Sequence, residues 1–258
     1  MTGLAGLQST ARRIGAIAVL SSILCAGAAA WAGQGVKALD ANHAFADSRT
    51  AELAGAAASG DAGRVNALAR SGANLNAHGD KNVTLLQWAL LNESAAGMEA
   101  LLAAGADPTE PGMDNDTVVH LAAMANDPKY LELLLKHGAD PNAHNSITRA
   151  TPLVSALMGK RERQFHDLLA AGADPNAADR TGNTPLHQAA KVNEPQRVLD
   201  LLEAGANPRA ANTVGATFQH FLFRAPDDAV TPEVRRGRDA VRDWLRMHHI
   251  PIEDVPAR

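Results

Sequence analysis

The feature that most constrains this chain is an internal clock. The tripeptide Gly-Ala-Asn or Gly-Ala-Asp recurs at Gly72, Gly105, Gly138, Gly172 and Gly205, with spacings of 33, 33, 34 and 33. A second series, Thr84, Thr117, Thr151, Thr184 and Thr217, keeps time with it at 33, 34, 33 and 33. Two independent markers on one period mean a stack of similar supersecondary units, each burying its faces on its neighbours. The apolar quota fits such a stack: aromatic residues make up only 3% of the chain, and alanine and leucine do the filling. Small side chains let helices approach closely in thin layers.

Each marker has a physical role. The threonine hydroxyl can accept a hydrogen bond from an orphan amide at a helix start. Thr151-Pro152 and Thr184-Pro185 add proline at the first helical position, where the missing amide hydrogen costs nothing. A short alanine-rich helix should follow each threonine. The second helix of each unit carries an i, i+3, i+4 apolar triplet: Val65, Leu68, Ala69; Met98, Leu101, Leu102; Leu131, Leu134, Leu135; Phe165, Leu168, Leu169; Val198, Leu201, Leu202. That is one buried face at helical period. A glycine arrives three residues later, suited to a left-handed helix stop. Turn-formers such as Asp140-Pro141-Asn142 lead on to the next threonine.

The run Gly182-Asn183-Thr184-Pro185-Leu186-His187-Gln188-Ala189-Ala190, followed by Val198, Leu201-Leu202 and Gly205-Ala206-Asn207, resembles the ankyrin repeat almost position for position. Five such motifs stand in phase. The resemblance implies an all-α repeat solenoid of about six ankyrin-like helix-turn-helix units with extended hairpin loops, forming a curved slab. The repeat domain is expected over 49–258, with units near 49–78, 79–111, 112–144, 145–178, 179–211 and a C-terminal cap at 212–258. In that cap the triplet Val241, Trp244, Leu245 comes ten residues late, behind a polar insertion near Ala225 to Glu233. The resemblance also implies that His120 and His187, at the family's Thr-Pro-Leu-His position, hydrogen-bond neighbouring loops.

In this family partners are bound by loop tips and by outward residues of the first helix. Carried onto this sequence, the contact positions are Trp88, Leu91, Asn92, Leu121, Met124, Ser155, Met158, Gln188, Lys191, Phe221 and Arg224. A row holding Trp88, Leu121, Met124, Met158 and Phe221 would be costly to expose with nothing to bind. The alternative for Trp88 is packing between the first two repeats. Loop tips add His78, Asp80 and Lys81; Glu110, Met113, Asp114 and Asn115; His144, Asn145 and Arg149; Asp179 and Arg180; Arg209 and Asn212.

The first 32 residues read as a signal peptide. Arg12 and Arg13 precede an uncharged stretch from Ile14 to Val36, and Ala30-Trp31-Ala32 offers a small-x-small cleavage site before Gly33. A linker over 33–48 would follow. The mature chain is then periplasmic; the alternative is an inner-membrane anchor over 14–32. The single cysteine, Cys25, lies in this segment, so the mature chain forms no disulfide. A net charge of −4 offers no broad field for nucleic acid. No metal-ligand set, phosphate loop or nucleophile motif stands in the chain, so neither cofactor nor catalysis is expected. The expectation is a monomeric protein-binding module whose partner is another protein. The alternatives are an immunity or inhibitor protein acting on a toxin or periplasmic enzyme and, third, a host-directed effector.

Overall fold

A computed structural model describes residues 40–253. The expected signal segment, its cleavage site and Cys25 lie outside the described residues. After a four-residue helix α1 (Ala41–Ala44), the described chain forms six helix pairs: α2 (Ser48–Ser59) with α3 (Ala62–Arg70), α4 (Leu85–Leu91) with α5 (Ala95–Ala104), α6 (Val118–Met124) with α7 (Lys129–Lys136), α8 (Pro152–Met158) with α9 (Glu162–Ala170), α10 (Pro185–Lys191) with α11 (Pro195–Glu203), and α12 (Phe218–Leu222) with α13 (Pro232–Met247). The described residues contain no β-strand beyond one isolated bridge, His78 to Thr84, at the base of a hairpin.

The helices begin and end where the side chains make them. Thr84 accepts from the Gln87 amide, Asp47 from Thr50 and Asp61 from Arg64, each relieving an orphan donor at a first turn. Pro152, Pro185 and Pro195 start α8, α10 and α11. The five glycines of the clock all adopt positive φ, between 78° and 100°, and Gly105 caps α5 directly.

Packing is strictly between neighbours. First helices stack in the order α2, α4, α6, α8, α10, α12; the second helices α3, α5, α7, α9 and α11 lean on their own partners and on an adjacent repeat, while α13 leans on α11. The first two members of the first five second-helix triplets are buried, and in the sixth Val241 and Leu245 are buried with Trp244 half-buried. Each such buried side chain contributes roughly 1.5–3 kcal/mol of burial. Between the first helices the filler is alanine, with Ala54, Ala57, Ala89, Ala122, Ala156 and Ala189 all fully enclosed. At Gly97 the approach is closest: a Cβ there would stand 1.8 Å from the Ala57 carbonyl oxygen, so only glycine lets α5 sit against α2.

Both ends are covered. In the stretch read as a linker, Ala41 and Ala44 pack against the core, and Phe45 is buried to 2% exposure with its ring edge-on to Trp88 at 5.5 Å. At the other end, Gln219 Nε2 donates to the Pro251 carbonyl at 3.1 Å while Gln219 Oε1 accepts from the Glu253 amide at 3.1 Å. The ten-residue insertion is pinned by Arg238, a residue 1% exposed whose guanidinium donates to the Ala225 carbonyl, Asp227 and Asn193 Oδ1.

Candidate partner-binding face

The face is built from hairpins and first helices, and in the second, third and fifth repeats the next hairpin is held by one side chain three residues after the clock threonine. His187 Nδ1 accepts from the Thr184 hydroxyl and amide at 2.9 and 3.2 Å, while Nε2 donates to the Ala216 carbonyl in the next hairpin at 3.0 Å. His120 does the same for Thr117 and the Ala150 carbonyl. These bonds require the neutral ring with its proton on Nε2. Burial pushes both imidazole pKa values down; at His120 the nearby Asp116 carboxylate opposes the shift. Gln87 fills this place in the second repeat, its Oε1 accepting from the Met113 amide and its Nε2 donating to the Asp116 carbonyl.

Two repeats depart from the pattern. Val154 occupies the position in the fourth, has nothing to donate, and leaves the buried Thr151 hydroxyl without a partner. In the sixth, Gln219 takes over the bonding one residue early, and His220, which has the histidine's phase in sequence, is exposed.

Of the residues expected to meet a partner, four are corrected, two on first helices and two on loop tips. Trp88 is 3% exposed: it lies under Phe45 and its indole N–H donates to the Ala54 carbonyl at 3.1 Å, so it joins the first two repeats and offers no surface. Leu121, one repeat on, is 8% exposed and packed into the same layer. Leu91, Asn92, Met124, Ser155, Gln188 and Phe221 are half-buried. Met158, Lys191 and Arg224 are exposed, Met158 to 54%. Among the loop tips, Met113 and Asn145 are buried and structural. Asn145 donates to Asp114 and Asp116 in the preceding hairpin while its Oδ1 accepts two amides of its own.

Aligned on the clock threonine, seven residues further on, the inner row reads Leu91, Met124, Met158, Lys191, Arg224. It changes from half-buried and apolar in the second and third repeats to exposed and basic in the last two. Ile147, missed as a contact candidate because one isoleucine in a loop carries no pattern, stands 51% exposed on the hairpin of the fourth repeat.

The family model for ankyrin repeats, three copies long, matches residues 53–145 and 119–212. The chain belongs to the ankyrin-repeat family. It is 43% identical to Protein PhlB of Serratia liquefaciens over 186 residues, which cover 70% of this chain and 79% of that protein. Its structure resembles the crystal structure of the ankyrin repeat domain of Bcl-3, described as a unique member of the IkappaB family. The TM-score is 0.65 and the identity 26%, over 78% of this chain and 86% of that one.

Ankyrin repeats form a protein-interaction module, typically without catalysis, and the all-helical repeat stack expected from the spacing is the one found. The ankyrin histidines behave as the family resemblance implied. In this ankyrin domain the first-helix row is covered at its N-terminal end by the chain's own Phe45 and open toward its C-terminal end.

Proposed function

We propose that this protein is exported to the periplasm through its N-terminal segment and there engages a partner protein with its concave face and hairpin tips. The observation that carries the binding site is the open part of the inner row, where Met158 lies exposed next to Lys191 and Arg224. An adaptable methionine on a first helix is costly in water and useful at an interface core. The face binds, and nothing in it calls for a reacting group; inhibition of a captured enzyme is the form this binding takes if the partner is catalytic. Fold analogy reaches the class of function, and the partner is for experiment to name.

The test expresses the full chain with a C-terminal tag, fractionates the cells, and captures partners from periplasmic extract beside a Met158→Asp variant. One protein recovered by the wild type and lost with the variant supports the reading. Recovery of the tag only in the cytoplasm, or no specific protein in the periplasmic capture, counts against it.

A further inference from the structure

The basic end of the inner face is a set of cations without counterions. Arg149 and Arg180 stand exposed on the fourth and fifth hairpins, and Lys191 and Arg224 end the first-helix row of the fifth and sixth repeats. None makes an ion pair among the described residues; the Lys191 ammonium lies over the Phe221 ring, 4.9 Å from its centre. On the second helices the pattern is mixed: Arg70, Lys136 and Arg236 make no ion pair among the described residues, while other arginines are held. There Arg163 pairs with Glu132 at 2.6 Å, Arg197 with Asp200 at 2.8 Å, Arg242 with Asp227 at 2.9 Å and Arg64 with Glu52. Two acidic groups of the last two repeats are already engaged. Asp179 accepts from Thr181, Asn183 and Gln188, and Asp227 is held by Arg238 and Arg242.

Arg149 adds an independent sign. Two residues before the clock threonine the hairpin turns through left-handed backbone, and the other repeats place Asn82, Asn115, Gly182 and Gly215 there. Arg149 holds φ 61° at that point. A long side chain with a Cβ is disfavoured in this region relative to asparagine or glycine, and such strain collects where a side chain has work to do.

Resting on the partner-binding reading, we infer that the inner face of the last three repeats takes an acidic polypeptide segment of the partner. A large apolar side chain of that segment seats against Met158 and Ile147, and its carboxylates meet Arg149, Arg180, Lys191 and Arg224. Arginine suits this by presenting a planar fork to a carboxylate. Unpaired cations beside an exposed apolar side chain steer an acidic ligand to this part of the face.

The test uses fluorescence anisotropy on the full chain with three labelled probes. They are a short Asp-rich peptide with a central Leu-Phe pair, its Lys-for-Asp counterpart, and a single-stranded oligonucleotide. The acidic peptide binds, weakens on adding sodium chloride, and loses roughly tenfold or more in affinity with Lys191→Glu/Arg224→Glu. Because that double change also removes the contact with Phe221, Arg149→Gly serves as the second variant: it weakens the acidic peptide while leaving the melting temperature unchanged or higher. Equal binding of the acidic and basic peptides overturns the proposal, as does preference for the oligonucleotide or indifference to both variants. If periplasmic capture succeeds but is unaffected by either variant, the partner-binding reading stands and this proposal falls. If the acidic peptide binds as described but capture fails, the face's preference for acidic segments stands and the periplasmic partner falls.

Discussion

Val154 leaves the hydroxyl of Thr151 buried without a hydrogen-bond partner, at the position where His120 and His187 each bond their own threonine and reach the next hairpin. The carbonyl equivalent to those of Ala150 and Ala216 belongs to Asn183. The junction between the fourth and fifth repeats therefore lacks a bond that its neighbours have. A Val154→His variant should recover the Thr151 partner and the bond to Asn183. The gain expected is about 1 kcal/mol, a rise in melting temperature of roughly 2–4 °C. An unchanged or lower melting temperature would show that the valine's packing matters more than the missing bonds.

Phe45 shields Trp88 from water. Replacing Phe45 with Ala should cost about 3–5 kcal/mol by the usual scale for a buried aromatic ring and admit solvent to the indole. The readouts are a lower urea midpoint and a red shift of tryptophan emission. If the emission shifts with no loss of stability, the N-terminal segment is a loose cover and not part of the fold.

The two buried imidazoles make the domain acid-sensitive. His120 and His187 have folded pKa values below the ordinary 6.5, so the unfolded chain binds protons first as the pH falls. Stability is complete above about pH 6.5 and declines below it, by at most about 1.4 kcal/mol per pH unit for each ring, until each folded group itself protonates. Asp116, whose carboxyl is pushed up by burial, acts with the opposite sign at lower pH, where the folded state takes the proton first. Urea midpoints measured from about pH 8 down to about pH 5 should be flat at first and then fall; a profile flat throughout would contradict the neutral, buried assignment.

Gly97→Ala tests the closeness of α5 to α2. Helix propensity alone would favour the alanine by about 1 kcal/mol. Its methyl group would nevertheless collide with the Ala57 carbonyl, and overpacking of this kind costs about 1–3 kcal/mol. Thermal melting decides: a stabilised variant would mean that the two helices separate without penalty.

The helix pairs were legible because their signals are local and repeat: a capping threonine, an apolar triplet at period 3.6, a left-handed glycine. The ring positions of His120 and His187 followed from the family pattern. Surface exposure was less legible. Trp88 and Met158 both belong to first-helix positions that the family uses for contacts, and nothing in the period says that Phe45, from a stretch with no repeat signal, would cover one and leave the other open. Gln219 was hidden for a similar reason: its partners Pro251 and Glu253 lie beyond the last repeat, so no spacing points to them. The counterion-free cations became visible only when each arginine could be asked where its carboxylate was.

Gln219 satisfies its amide on Pro251 and Glu253, and Thr217 adds a bond to the Glu253 carboxylate. In the interior repeats the corresponding groups are met by the next hairpin. A self-similar stack presents at its edge the same invitation that built it, and a second molecule bared at the same edge would accept it. By spending that invitation within the chain, these few residues guard against pairing through that edge. Cutting before Pro251 would remove the guard, and the shortened protein should sediment as larger species as its concentration rises.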